Sequence, residues 1–373
     1  MRERKLPRIE NLVIKIGSNL LTDGGGVSSA CIARLVDAIA EVKKEIDNIS
    51  IVSSGAIACG FKELGFKKRP VSIMDKQASA AVGQSRLIWF YEHAFQKHSL
   101  TAAQILITKF DFSNRSRYIN ARSTIYRLHK LGVIPIINEN DVLVANELKY
   151  VESFGDNDNL GALVAALINS DMLMILSDVD GLFTKDPVKY PDAEIIHSVE
   201  GITPEILELA DGTSSIVGTG GMYSKLKAAE HAQKNGCPVA IIGGNEPENI
   251  KRFLAGELIG TYFEPAKRGS GAKKRWIAGA AIPKGVVFVN EGAKEAILRH
   301  NSLLAVGVTE IDGKFEAGDI VRIETGNNAI ALGKVRFDSE TLNMIKQKST
   351  SEASLILGKD TAVVIHCDDM GML

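Results

Sequence analysis

The sequence predicts an α/β fold: a mainly parallel sheet covered on both faces by helices, followed by a small β-rich domain. Three observations predict it. Short β-branched apolar runs alternate with stretches of helical periodicity, the pattern of βαβ units. Several of these runs end in small or polar residues, and ligands in open α/β sheets sit outside such carboxyl ends. Composition then changes sharply over 264–276, where Pro265, Gly269, Ser270 and Gly271 mix with Lys267, Arg268, Lys273, Lys274 and Arg275, as in a linker.

The first expected strand is Leu12-Val13-Ile14-Lys15-Ile16, closed by Gly17-Ser18. Lys15 is out of place in it. Burying a lysine costs free energy unless an anion meets it, so Lys15 faces either solvent or a phosphate. Ser28-Ser29 can then cap a helix whose apolar positions Ile32, Leu35, Val36, Ile39 and Ile46 fall largely on one face. Ile49 to Val52 reads as a second strand. It breaks into Ser53-Ser54-Gly55-Ala56-Ile57-Ala58, small residues that let a backbone approach a ligand. Further strands are expected at Gln104 to Thr108, Val133 to Ile137, Met172 to Leu176 and Val239 to Ile242. Their tips, Gly17-Ser18, Ser53-Ser54-Gly55, Asn138-Glu139-Asn140-Asp141, Ser177-Asp178 and Gly243-Gly244, are expected to converge on one crevice, although polar turns follow strands in any protein.

Composition removes several functional classes. With 373 residues, 45% hydrophobic and 24% charged, the chain has room for two domains and an ordinary core. A formal net charge of −1 supplies no global field for nucleic acid or an anionic membrane. Cys31, Cys59, Cys237 and Cys367 form no CxxC or CxxH pair, which suggests neither a zinc site nor a disulfide framework and fits a reducing cytoplasm. The charged first ten residues lack a signal-peptide core, and no apolar run approaches the roughly 18 residues of a membrane span.

Two stretches carry chemistry. Gly218-Thr219-Gly220-Gly221-Met222-Tyr223-Ser224-Lys225 precedes a helical pattern, so glycine-exposed amides and a lysine in the first turn could cradle a phosphate. It matches neither a Walker A loop nor a dinucleotide fingerprint. Gly155-Asp156-Asn157-Asp158-Asn159-Leu160 exceeds what helix capping needs. Its carboxylates could hold lysines in place or bind Mg²⁺ directly or through water. There is no Gly-x-Ser-x-Gly elbow or HExxH, and no histidine cluster suggests a general base. Phosphoryl transfer to a carboxylate needs none, since that acceptor is already ionised at neutral pH. It needs cations and amide dipoles on the transferring group, which Lys15, Lys225 and the glycine turns could supply.

Taken together, Val13-Ile14-Lys15-Ile16-Gly17-Ser18, Val52-Ser53-Ser54-Gly55-Ala56-Ile57-Ala58, Ile136-Ile137-Asn138-Glu139-Asn140-Asp141, Phe154-Gly155-Asp156-Asn157-Asp158 and 218–225 resemble the motif set of the glutamate 5-kinases, within the amino acid kinase family. The resemblance covers essentially the full chain in order. It implies a three-layer αβα sandwich, ATP and Mg²⁺ as cofactors, and direct phosphorylation of the side-chain carboxylate of L-glutamate, the first step of proline synthesis. It makes Lys15 and Lys225 the cations on the transferring phosphoryl group and Asp158 their organiser. Ser54, Asp141 and Asn157 match glutamate-binding positions, with Asp156 near the substrate amino group. Ser177-Asp178 and Thr219, Gly220, Gly221, Met222, Tyr223, Ser224 and Lys225 match nucleotide-binding segments. Ser53 and Ser177 stand where the family often has threonine, and both swaps keep the hydroxyl. Two further stretches are of interest: 149–154, as a lid, and the cluster Arg115, Arg117, Tyr118, Asn120 and Arg122, which the resemblance links to feedback inhibition by proline. The resemblance also implies a homo-oligomer.

The expected boundaries are a catalytic domain over 1–263, a basic linker over 264–276 and a β-rich domain over 277–373. In the last, Val286 to Val289, Leu303 to Val306, Ile320 to Ile323, Ile330 to Leu332 and Ala362 to Ile365 read as short strands. Asn290-Glu291-Gly292-Ala293, Ser302-Leu303-Leu304 and 313–319 resemble a PUA domain, a module known from RNA-modifying enzymes, with Asn290 where Asp is more usual. RNA binding is therefore a rival activity. From Ile277 onward, however, 10 Lys and Arg face 13 Asp and Glu, a formal charge of −3, which suits a phosphate backbone poorly. The other rival is a different carboxylate kinase of the same family.

Overall fold

The computed structural model describes residues 4–23, 26–143, 157–211, 221–266, 283–326, 328–358 and 362–372. They divide into two compact units, one within 4–108, 119–143 and 157–266, the other within 109–118 and 283–372.

Up to residue 266 the elements are β1 (Asn11–Ile16), β2 (Thr22–Asp23), β3 (Gly26–Val27), α1 (Ser29–Lys43), β4 (Asn48–Ser53), α2 (Ala56–Gly60), α3 (Ile73–Gln96), β5 (Ala102–Ile107), α4 (Lys109–Ser113), α5 (Arg115–Lys130), β6 (Ile134–Glu139), α6 (Asn157–Leu167), β7 (Met172–Ser177), β8 (Ser198–Val199), α7 (Pro204–Asp211), α8 (Met222–Lys234), β9 (Val239–Gly243), α9 (Asn249–Leu254) and β10 (Thr261–Phe263). Eight strands form one sheet in the order β5-β6-β4-β1-β7-β9-β10-β8. Neighbours from β5 to β9 are parallel, whereas β10 runs antiparallel to β9 and parallel to β8. All six strands expected here are present. The two reversed strands that close this side of the sheet, β10 and the edge strand β8, have three and two residues, too few to leave a periodicity in the sequence.

β1 is central, paired with β4 on one side and β7 on the other, so it is buried on both faces and reads as a continuous apolar run. Leu12, Ile14 and Ile16 point to one face, where they meet Ile32, Leu35 and Ile39 of α1, Leu87, Tyr91 and Phe95 of α3, and Phe253 of α9. Ser28 caps α1 by accepting from Cys31 N, as its position predicts; the helix stops at Lys43, and Ile46 stays buried beyond it. Strand alternation sends Val13 and Lys15 to the opposite face, toward α6. His129 of α5 reaches Ser50 of β4 on that same face, and α8 packs on α6. The result is the three-layer αβα sandwich. No helix among the described residues is long and apolar enough to cross a membrane.

The second unit contains β11 (Val286–Val289), β12 (Leu303–Leu304), β13 (Val308–Asp312), β14 (Ile320–Thr325), β15 (Asn328–Lys334), β16 (Val363–Ile365) and β17 (Met370–Met372), with helices at Glu291–Leu298, Ser339–Ile345 and Thr350–Leu357. A five-stranded sheet runs β13-β11-β14-β15-β17, and β12 pairs with β16. Val287, Val321, Ile323, Ala331, Leu342 and Ile365 lie in its apolar core. The strand expected over Leu303 to Val306 ends at Leu304, because Ala305–Gly307 turn into a 3₁₀ segment. β13 and β17 are additions; the polar alternation of Thr309-Glu310-Ile311-Asp312 gives β13 only a weak signal.

Candidate active site

The carboxyl ends of β6, β4, β1, β7 and β9 lie side by side, so the five polar tips do share one edge of the sheet. Ser54 N donates to Ile16 O at 3.2 Å and Gly244 N to Ser177 O at 2.7 Å, which extends the ladder past the strand ends. Glycine serves packing as well as ligand approach here. A Cβ at Gly244 would stand 2.4 Å from the Leu20 side chain.

Three ionised groups are buried together on the α6 face. Lys15 is 5% exposed, Lys225 6% and Asp158 0%. Lys15 Nζ is ion-paired with Asp158 Oδ1, and Lys225 Nζ donates to Asp158 Oδ2 at 3.3 Å. Ser224 Oγ lies 3.0 Å from the same Oδ2. Each comes from a different element: β1, the first turn of α6, and the first turn of α8. Asp158 also gains from the amino end of the α6 dipole. Close approach is built in at Gly161, one turn into α6, where a Cβ would lie 3.3 Å from Lys15 Cβ. A glycine inside a helix costs about 1 kcal/mol relative to alanine, and here it lets α6 lie against the lysine stem. Burial pushes the Asp158 pKa up, but the charges of Lys15 and Lys225 and hydrogen bonds from Lys15 and Ser224 outweigh it. The carboxyl is held below its ordinary value. Two cations and one anion leave a net positive charge in a dry setting, suited to an anionic ligand. Gly221 precedes α8 as its N-cap and supplies no side-chain cap, so among the described residues no cap competes with an anion for the amides of the first turn.

Beside this triad runs a chain of amides. Asn157 Nδ2 lies 2.9 Å from Ser54 Oγ, 3.1 Å from Ser53 O and 3.0 Å from Asn138 Oδ1. Glu139 N also donates to Asn138 Oδ1, at 2.9 Å, and Asn138 Nδ2 donates to Gln84 Oε1 at 2.9 Å. Beneath them Tyr91 OH meets Ser53 Oγ at 2.9 Å. Asp141 ends the same tip; burial raises its pKa to about 6, partly offset by the charge of Arg69.

The structure thus brings together Lys15, Asp158, Ser224 and Lys225 as one group, and Ser54 and Asn157 as another. Ser177 is buried and Val179 N donates to its Oγ. Asp178 accepts from Asn19 Nδ2 at 2.9 Å; burial raises its pKa, but the Asn19 bond, its own backbone and the charge of Lys225 bring it below the ordinary value. Met222 begins α8, and Tyr223 is exposed there with Lys227 over its ring. Asp156, Thr219, Gly220 and the expected lid 149–154 lie outside the described residues. In the basic cluster, Arg115, Arg117 and Asn120 are exposed, Arg117 pairs with Asp111 at 2.9 Å, and Arg122 donates to Tyr126 OH at 3.1 Å. Reasoning from sequence missed Gln84, Tyr91 and Gly161. Nothing in a long amphipathic helix singles out one glutamine or tyrosine.

Lys15 on Oδ1 and Lys225 and Ser224 on Oδ2 take most of the acceptor capacity of Asp158, which leaves it a poor direct ligand for Mg²⁺. Among the described residues, one group could hold a metal ion: His366, Cys367 and Asp368 in the second unit, where Asp368 N donates to His366 Nδ1 at 3.2 Å. It is not part of this crevice's residues.

Comparison with known proteins agrees with this geometry. The amino acid kinase family model matches residues 10–243, and the PUA domain model matches 285–356. Glutamate 5-kinase of Geobacter sp. (strain M21) is 41% identical over 100% of both chains. That of Synechococcus sp. (strain JA-3-3Ab) is 44% identical over 97% of this chain and 98% of its own, and that of Methylobacillus flagellatus 43% over 96% of each. The chain therefore belongs to the amino acid kinase family, in its glutamate 5-kinase branch, and carries a C-terminal PUA domain.

Proposed function

We propose that this protein transfers the γ-phosphoryl group of ATP to the side-chain carboxylate of L-glutamate, giving L-glutamyl 5-phosphate for proline synthesis. The observation that carries the reading is the buried Lys15–Asp158–Lys225 group beside the Ser54–Asn157 pair, in a chain over 40% identical to glutamate 5-kinases.

The chemistry follows from the charges. A carboxylate oxygen attacks the γ-phosphorus as the bond to the bridging oxygen breaks, and that electron pair leaves on ADP. No proton moves, so no base is required and no covalent intermediate on the protein is needed. Negative charge on the transferring group is met by Lys15, Lys225 and the α8 amides, while Asp158 fixes both lysines in advance. Ser54, Asn157 and Asp141 hold the glutamate, and Asp141 meets its ammonium group as an anion. Ser177, Asp178 and the first turn of α8 hold the nucleotide. Mg²⁺ bound with the nucleotide would neutralise phosphate charge, while Asp158 stays paired with Lys15 and Lys225. We place Asp156 with the acceptor, and read 1–263 as the kinase domain and 277–373 as the PUA domain joined by a basic linker. A cytoplasmic homo-oligomer inhibited by proline is the reading that family membership favours.

The test is ADP release with Mg-ATP and hydroxylamine, comparing L-glutamate, N-acetylglutamate, aspartate and no acceptor, with proline added in a parallel series. Glutamate-dependent ADP matched by coloured hydroxamate is expected. Turnover with another acceptor alone would replace the substrate, and silence with all of them would overturn the reading.

A further inference from the structure

We propose that Gln84 is a specificity-determining residue of the acceptor site: its side-chain amide donor binds a carboxylate oxygen of the acidic amino acid. The inference rests on the functional reading above.

The amide orientation is set by the network and not by convention. Asn138 Oδ1 receives both Glu139 N and Asn157 Nδ2, so the other end of the Asn138 amide is its NH₂. That NH₂ donates to Gln84, which must present Oε1 to it, and the Gln84 NH₂ is left pointing away from Asn138. Gln84 is 8% exposed, and among the described residues no acceptor lies within hydrogen-bonding reach of its Nε2. Buried donors in native proteins are nearly always satisfied. An orphan donor joined through a single amide to Asn157 fits a site completed by an anionic ligand.

The backbone spends effort to bring it there. α2 starts two residues after Ser54, behind Gly55, and crosses α3 at Gly60 and Gly83. A Cβ at Gly60 would lie 1.9 Å from Ser79 O, and one at Gly83 1.9 Å from Ala56 O. This crossing draws the residue after Gly83 up to the tips of β4 and β6, where Asn138 and Asn157 meet it. Gln84 then has two functions on one side chain. Its oxygen orients Asn138, and hence Asn157, while its nitrogen faces the acceptor.

Two near-isosteric variants separate these functions. Gln84→Glu keeps an acceptor for Asn138 but puts an anion where the donor was. Gln84→Met removes both. Steady-state kinetics are measured in L-glutamate and, separately, in ATP, with thermal unfolding as the check on folding. We expect Gln84→Met to raise KM for glutamate about tenfold or more, the usual effect of losing a hydrogen bond to a charged group, with KM for ATP within about twofold. Gln84→Glu should be at least as impaired in glutamate, because two carboxylates now face each other. Wild-type KM in Gln84→Glu would overturn the proposal by showing the donor to be unused, and so would parallel rises in both KM values. If the wild type prefers another carboxylate acceptor, the same comparison is made with that acceptor, so the substrate assignment and the role of Gln84 fail separately.

Discussion

The two units bury different things. Every polar or charged residue that is buried as a whole among the described residues, including Lys15, Gln84, Asn138, Asp158 and Lys225, belongs to the first unit, whereas the second buries the Thr325 hydroxyl beside an apolar core. Buried charge is expensive, and a hydrophobic replacement of similar shape is often as stable or more so. We read the ion triad under the tips of the parallel sheet as kept for chemistry, and the core of the second unit as what folding alone requires. Substitutions should therefore affect stability in both units but turnover in one.

The largest effect is expected at Asp158. Asp158→Ala leaves Lys15 and Lys225 buried without their anion, which costs about 3–5 kcal/mol and removes the pre-set geometry as well. Urea unfolding should show the loss of stability and kcat a collapse; a variant with near-normal values of both would refute the pairing. In the second unit Ile323→Ala, at a fully buried position, should cost about 2–5 kcal/mol through cavity formation. At temperatures where it remains folded, kcat should stay within about twofold. A large kinetic defect there would erase the contrast.

A smaller effect is a pH dependence confined to the acceptor. Asp141 titrates near 6 in the folded protein, so below that pH it loses the charge that would meet the ammonium group. KM for glutamate should rise as pH falls below 6 while KM for ATP does not, and Asp141→Asn should be high in KM at every pH. For stability the sign is opposite to that of a salt-bridged acid. The Asp141 contribution is present below its unfolded value of 3.8 and is lost as pH rises through 6. Asp158, held low, contributes above its unfolded value and loses that only as pH falls through the depressed one. The smallest effect concerns the PUA domain. With a formal charge of −3 after Ile277, the protein should retain no structured RNA in a filter-binding assay at low salt. Retention would give the second unit a chemistry that its core does not reveal.

Much of the first unit was legible because parallel strands are buried on both faces. Leu12 to Ile16 and Met172 to Leu176 stand out as unbroken apolar runs, and the polar tips behind them follow from the topology. Lys15 was visible as an exception inside such a run, but its choice between solvent and anion was settled only by Asp158 and Gly161, 140 or more positions away. Sequence spacing does not carry that distance. Gln84 was silent for the same reason: its partner Asn138 lies on β6, 54 positions away, and a glutamine on a helix is ordinary. In the second unit, β13 was missed because its half-exposed alternation is brief and polar, and β17 because three residues around a glycine leave no periodicity.

We propose that the buried cations serve catalysis and not folding. Measuring kcat and the unfolding free energy together for Lys15→Met and Lys225→Met tests it most directly. We expect kcat to fall about 10²–10³, the usual cost of removing a group that stabilises transition-state charge, with a far smaller proportional loss of stability. Wild-type turnover in either variant would contradict it.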